Sequence, residues 1–261
     1  MSRVAIVTGA ARGIGAATVD ALVNENYRVV AVDRCRDLPD VPYAMATRAD
    51  LDAVVARHGE AVLGLVGDVR SATDMQLAVE TATRHFGRLD AVVACAGVLG
   101  AGGPLWEISD AAWDAVWSAN VLGTRRLIEA AAPKLISNGR EAQGRIVAVA
   151  SAAGSTGLLH LASYSAAKHA VVGLIRGVAM DLAPYGVTAN AVSPGSTRTA
   201  ILEASAKVYD LESVEAFAAQ QPIGRLLEPT EIAATIVWLC SSASSAITGA
   251  NVAVDGGMTV S

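Results

Sequence analysis

The chain has 261 residues, 52% of them hydrophobic and only 17% charged, enough for one large α/β domain or two small ones. Its net charge of -5, with no basic run, gives no support to a nucleic-acid partner. With 4% aromatics the core must be built from Ala, Val, Leu and Ile, which suits helices stacked on a parallel sheet buried on both faces.

The first strand is "RVAIVT" (3–8), and "TGAARGIG" (8–15) follows it directly. Strand, glycine-rich turn and helix is the setting of a phosphate cradle: Gly9 turns the chain, while Gly13 and Gly15 let a ligand and the sheet come close. The helix behind them offers unpaired N–H groups and a positive dipole end to a pyrophosphate. Glycines after a strand are also often no more than a tight turn.

The second strand, "RVVAVD" (28–33), ends on Asp33, 18 residues after Gly15. A carboxylate there accepts hydrogen bonds from ribose hydroxyls and repels a 2′-phosphate, which favours NAD over NADP. Arg12 and Arg34 pull the other way, since either could face a phosphate. The connection that follows is long; its first half carries two prolines and no periodicity and reads as a loop. Thr47 with Asp50 then caps a short helix. An extended segment at about 34–60 beside a cofactor site reads as a functional cover or as a tolerated surface insertion.

The third strand, "AVLGLVGD" (61–68), ends on Asp68, placed to touch adenine or to lead the next helix. Ser71 and Asp74 open that helix. "LDAVVA" (89–94) is the fourth strand, and Ser109 opens a long helix in which Asn120 is a poor intrinsic choice. Asn120 reads as a functional amide or as a satisfied core amide. "RIVAVAS" (145–151) carries Ser151 at the carboxyl end of the fifth strand, where open α/β sheets bind ligands.

"YSAAK" (164–168) places Tyr164 and Lys168 at i and i+4, on one face of a helix with only small residues between them. A cation beside a phenol is expected to lower its pKa from about 10 and make it an acid and base near neutrality. The bland alternative is an edge tyrosine and a surface lysine on an amphipathic helix. "VTANAVS" (187–193) and "NVAVD" (251–255) complete seven strands alternating with helices, which implies a doubly wound Rossmann-type parallel sheet with helices on both faces. No linker or repeat divides the chain, so residues 1–261 are expected to form one domain. The uncharged stretch 91–106 is too short for a membrane span and is broken by glycines and a proline. Cys35, Cys95 and Cys240 lack metal-ligand spacing and read as incidental thiols in a reducing cytoplasm; no metal is expected.

The glycine turn, Asn120, Ser151, Tyr164 with Lys168, and "SPGSTRT" (193–199) occur in order, and in this combination the whole chain resembles the short-chain dehydrogenase/reductase family. Its ending, "ITGANVAVDGGM", is similar to the ordinary branch of roughly 250 residues, whose members are mostly homotetramers. "VDRCRDLPDVPYAMATRADLDAVVA" and "GPLWEIS" are similar to the mycofactocin-coupled branch. That resemblance implies NAD held without exchange and electrons passed to mycofactocin, a peptide-derived carrier.

Carried over position by position, the resemblance implies a catalytic set of Asn120, Ser151, Tyr164 and Lys168. It implies cofactor contacts from Gly9, Arg12, Gly13, Ile14, Gly15, Asp33, Arg34, Asp68, Val69, Ala96, Gly97, Tyr164, Lys168, Pro194, Gly195, Thr197 and Thr199. The expected reaction is hydride transfer between a nicotinamide cofactor and a small hydrophobic secondary alcohol or ketone. The alternatives are a 3-oxoacyl-carrier-protein reductase type with exchangeable NAD(P)H, and a catalytically silent dinucleotide-binding module. "ACAG" (94–97) departs from the family's usual N-N-A-G, and a different local geometry is expected there. Leu158, Leu159, Trp106 and Ile201 are expected to make the substrate pocket apolar, and His160 reads as a solvated loop residue or a substrate contact.

Overall fold

The computed structural model describes residues 2–260. Seven parallel strands form one sheet: β1 (Arg3–Thr8), β2 (Tyr27–Asp33), β3 (Val62–Val66), β4 (Ala91–Ala94), β5 (Arg145–Val149), β6 (Thr188–Pro194) and β7 (Asn251–Val254). Their spatial order is β3-β2-β1-β4-β5-β6-β7, so the winding reverses between β1 and β4. A reversal opens a crevice at the carboxyl ends of those two strands.

Each strand alternates its side chains between two cores, as a pleat of period two requires. Val4 and Ile6 of β1 face one core, packed by α3 (Ala72–Phe86), α5 (Gly123–Ser137) and α6 (Ala162–Leu182). Ala5 and Val7 face the other, packed by α1 (Gly13–Asn24), α2 (Arg48–His58) and α8 (Pro229–Cys240). The central strands are therefore dry on both faces, which is why they read as unbroken apolar runs, while the edge strands β3 and β7 are partly exposed. The amino ends of the strands are tied by Asp90, fully buried, which accepts from Val4 N–H at 2.8 Å and pairs with Arg88 at 2.6 Å.

The expected caps are in place. Ser71 accepts from Asp74 N–H at 3.2 Å to start α3, and Ser109 accepts from Ala112 N–H at 3.2 Å to start α4 (Asp110–Trp117). Thr47 and Asp50 form a reciprocal capping box on α2. One feature of the long helix is absent from its pattern: α4 and α5 are joined without a break by a π-helical turn, Ser118–Leu122. Asn120 sits at its centre. Such turns insert one residue into a helix and rotate the side chains beyond it.

Candidate active site

The strand ends and the loops above them enclose a cavity of about 590 Å³. Every cofactor residue expected from the sequence lines it, from the Gly9–Gly15 turn through Asp33, Arg34, Asp68 and Val69 to Ala96, Gly97 and the 194–199 loop. Ser151, Tyr164 and Lys168 line it too.

At the amino end, Gly9 has φ +65°, and a Cβ there would lie 2.8 Å from the Ala96 backbone. A Cβ on Gly15 would lie 2.0 Å from the Gly9 carbonyl oxygen, so neither position accepts a side chain. The α1 N-terminus has no side-chain cap and no acidic residue in its first turn. Its N–H groups are left for an anion, which suits a pyrophosphate.

Asp33 is held by two backbone donors, Ala11 N–H at 3.1 Å and Cys35 N–H at 3.2 Å. That fixes a carboxylate at the end of β2, where it disfavours a 2′-phosphate. Asp68 lines the cavity, and it leads the next helix as expected: its backbone N–H donates to Asp74 of α3 at 2.8 Å. Its carboxylate is paired with Arg34 at 3.2 Å and Arg70 at 2.9 Å, and the Arg70 hydrogen bonds hold its pKa low against burial. The Arg34 guanidinium is thereby matched to a carboxylate of its own chain, although its Nη1 keeps no partner.

The departure at 94–97 has a local remedy. Ala96 N–H donates to Thr8 Oγ1 at 3.3 Å, and the Cys95 thiol is hydrogen-bonded to Thr18, whose own hydroxyl donates to the Ile14 carbonyl at 2.7 Å. Burial pushes Cys95 up to about 12, so it stays a neutral thiol.

Tyr164 and Lys168 lie in the first two turns of α6, 7% and 4% exposed. Lys168 Nζ donates to the Val149 carbonyl at 2.9 Å and sits 5.5 Å from the centroid of the Tyr164 ring. The expected lowering of the Tyr164 pKa by Lys168 is not what the protein matrix produces. Burial pushes Tyr164 up to about 12, opposed by its hydrogen bond with Ser151, and burial brings Lys168 down to about 8. The reason is geometric: the ammonium lies over the ring and is spent on a backbone carbonyl, so desolvation outweighs attraction.

Asn120 lies behind Gly97. Its Nδ2 donates to Val116 O at 2.8 Å and to Val98 O at 2.9 Å, while its buried Oδ1 has no partner. A Cβ on Gly97 would lie 2.6 Å from that Oδ1 and 3.4 Å from Lys168 Nζ, so Gly97 keeps the two groups open to each other. A satisfied core amide would not leave an acceptor bare beside a lysine.

The 194–199 loop is wound on itself. Thr197 Oγ1 donates to Gly195 O at 3.0 Å, and Thr199 Oγ1 donates to Thr197 O at 3.2 Å. Thr199 also caps α7 (Ala200–Val208), accepting from Leu202 N–H at 3.4 Å, and its methyl would lie 3.3 Å from a Cβ on Gly13. The cavity continues past Tyr164 into an apolar end bounded by Leu158, Ile201, Val214 and Phe217.

Two expected pocket residues lie elsewhere. Trp106 is 86% exposed in a short 3-10 turn, and Leu159 is 70% exposed. Gly103 N–H donates to His160 O at 2.9 Å and the Tyr209 hydroxyl donates to Leu159 O at 2.8 Å, so this backbone is held beside the cavity while the Trp106 and Leu159 side chains do not line it. His160 does not line it either. Sequence reasoning read the segment after β2 as a cover or an insertion and did not single out Leu38, Tyr43 and Met45, which reach the cavity from it; it also passed over Met258. An aromatic among small and proline residues at 39–45 was the one available signal.

A crevice at the winding reversal, a bare helix N-terminus and a buried tyrosine–serine pair define a dinucleotide-binding oxidoreductase. The chain belongs to the short-chain dehydrogenase/reductase family: a family model described as enoyl-(acyl carrier protein) reductase matches residues 9–259. It is an NAD(P)-dependent oxidoreductase acting on CH–OH groups. It is 37% identical to an uncharacterized NAD-dependent oxidoreductase of Mycobacterium tuberculosis, over 98% of this chain and 95% of that one. It is 38% identical to the cis-4-hydroxycyclohexanecarboxylate dehydrogenase of Sinomonas cyclohexanicum, over 98% and 96%. Among solved structures, carveol dehydrogenase from Mycobacterium avium in complex with NAD superposes with a TM-score of 0.93 at 28% identity, covering 99% and 98% of the two chains.

Proposed function

We propose that this chain oxidises a hydrophobic, alicyclic secondary alcohol with a tightly held NAD, and that mycofactocin takes the electrons onward. The observation that carries the reading is the buried Tyr164–Ser151 hydrogen bond facing a cavity with a glycine cradle at one end and an apolar wall at the other. Asp33 supports NAD over NADP, as does the NAD bound by the carveol dehydrogenase of Mycobacterium avium, and the cis-4-hydroxycyclohexanecarboxylate dehydrogenase of Sinomonas cyclohexanicum supports a ring alcohol.

NAD, when bound, supplies the hydride-accepting nicotinamide. The residues do the rest. Gly9, Gly13 and Gly15 with the Ile14 backbone and Arg12 would hold the diphosphate; Asp33 would read the ribose; Arg34, Asp68 and Val69 would flank the adenine. Ala96, Gly97, Pro194 and Gly195 would form the walls against the nicotinamide half. Thr197 and Thr199 have already given their protons to backbone carbonyls, so their oxygens are left to accept from the carboxamide N–H groups.

Ser151 donates to the substrate oxygen and positions it, and Tyr164 takes the hydroxyl proton. Lys168, with a pKa near 8, relays that proton, and the bare Asn120 Oδ1 holds a water that leads it to solvent. The Tyr164 phenolate would be favoured by the positive charge of an oxidised cofactor, which would offset the burial that otherwise holds the proton in place.

A homotetramer is supported by α6, where Gly173 and Gly177 each cost about 1 kcal/mol against Ala and a Cβ at either would meet nothing within 4 Å. Ile128, Leu174 and Val178 line a groove beside them. No helix among the described residues is long and apolar enough to cross a membrane; the three free cysteines suit a reducing cytoplasm.

The test is a panel of ring and open-chain secondary alcohols assayed with a dye acceptor and no added NAD, after exhaustive dialysis. Turnover is expected with the wild type, selective for alicyclic alcohols, and lost in Tyr164→Phe. Activity that requires added NAD would leave an ordinary ketone reductase in its place; NAD binding without hydride transfer to any alcohol would leave the silent module.

A further inference from the structure

The segment after β2 is a built loop. Met45 N–H donates to Asp37 Oδ1 at 2.8 Å and Val41 N–H to Leu38 O at 3.1 Å, which closes residues 37–46 on themselves. The loop buries Leu38 and Val41 against Val98 and Ala119, so it packs on the strand-end loop that precedes Asn120. Between them, Tyr43 enters the cavity. Its ring joins the cluster that holds Leu99 and Tyr164, and its oxygen accepts from Leu99 N–H at 3.0 Å.

Two further facts locate the Tyr43 hydroxyl. It lies close enough to Arg12 of the glycine turn, on one side, and to Tyr164, on the other, for each pair to interact electrostatically. It also gives its proton to no acceptor among the described residues, and burial raises its pKa, so the proton is retained. A phenol that accepts from one wall and keeps an unspent donor between the phosphate cradle and the catalytic tyrosine is poised to bind what lies between them.

We propose that Tyr43 is a cofactor-retaining residue: its oxygen clasps the loop to Leu99 while its O–H donates to an oxygen of the bound dinucleotide, closing the 37–46 loop over NAD. The proposal deepens the tight-NAD reading and rests on the dinucleotide lying in this cavity. Leaving NAD must then break the bond to the ligand and the bond to Leu99 together, so the effect falls on release rather than on chemistry.

The experiment loads wild type, Tyr43→Phe and Tyr43→Ala with adenine-labelled NAD, dilutes each into excess unlabelled NAD and follows loss of label. Tyr43→Phe keeps the ring and its packing and removes only the oxygen. Its release is expected to be at least about tenfold faster than wild type, the size of one good hydrogen bond. Amide exchange at Leu99 in the NAD-free protein is expected to quicken, a readout independent of ligand.

Tyr43→Phe releasing NAD at the wild-type rate, with only Tyr43→Ala fast, would show that the ring merely packs, and would overturn the proposal. Asp37→Ala, which loosens the base of the loop from outside the cavity, supplies the second variant if Tyr43→Phe does not fold: faster release supports the clasp, and unchanged release refutes it. Rapid loss of NAD from the wild type would remove the tight-holding reading and leave the clasp to be judged on the ratio of mutant to wild-type rates.

Discussion

Burying Lys168 costs stability, and the cost can be removed. Burial lowers its pKa from 10.5 to about 8. A shift of roughly 2.5 units corresponds to ~3 kcal/mol of penalty at pH 7, where the lysine is charged in both states. Lys168→Met preserves volume and chain length, removes the charge, and loses the 2.9 Å bond to the Val149 carbonyl, which is worth ~1 kcal/mol. The variant is therefore expected to be more stable than wild type by ~2 kcal/mol at pH 7, a rise in Tm of roughly 4–8 °C. Between pH 8 and 10.5 folded Lys168 binds fewer protons than unfolded, so wild-type stability climbs with pH across that window. At pH 9.5 the penalty has shrunk to ~1.4 kcal/mol and the two proteins should nearly coincide. Urea melts of NAD-free protein at pH 7 and 9.5 make the comparison. A Met variant less stable than wild type at pH 7, or a gap that ignores pH, would refute the desolvation argument, whatever happens to activity.

Three further outcomes follow from the site. Tyr164→Phe is expected to reduce turnover ~100-fold or more, the loss typical of a general acid–base group, with NAD binding retained by isothermal titration. Gly97→Ala forces a methyl to within 2.6 Å of Asn120 Oδ1; it should destabilise by ~1–3 kcal/mol and slow hydride transfer more than it weakens NAD binding, as single-turnover kinetics would show. Asp33→Ala leaves the Ala11 and Cys35 N–H groups unpaired and removes the charge that repels a 2′-phosphate. The preference for NAD over NADP in kcat/KM should fall by ~10-fold or more, the equivalent of ~1.4 kcal/mol.

Much of the architecture was legible because its physics is local. Strands buried on both faces must be apolar throughout, and "RVAIVT" or "RIVAVAS" says so in six or seven letters. Ser71, Thr47 and Ser109 announce their helices through hydrogen bonds that reach only three residues. The cavity lining was legible for the same reason: the turn after β1 is a short run of glycines, and Asp33 is the last residue of its strand. What stayed hidden depends on distant parts of the chain. The π turn at Asn120 adds no unusual residue type; it shows only in the rotation of the helix. Tyr43 is held by Leu99, more than fifty residues away in sequence, a pairing no local pattern announces. The sign of the Tyr164 shift was misread because i,i+4 spacing says that two side chains are neighbours, and says nothing about how dry their surroundings are. Trp106 was misplaced because a loop can lie beside a pocket and still turn its largest side chain to solvent.

Thr199 belongs to two structures at once. It is the first anchor of α7, which roofs the apolar end of the cavity, and its methyl abuts Gly13 in the glycine turn. Whatever displaces one displaces the other. An emptied enzyme would have to reassemble its roof before it could recognise an alcohol, so kinetics begun from that state should show compulsory order with the dinucleotide leading; a chain that never lets go of its NAD skips that step on every cycle.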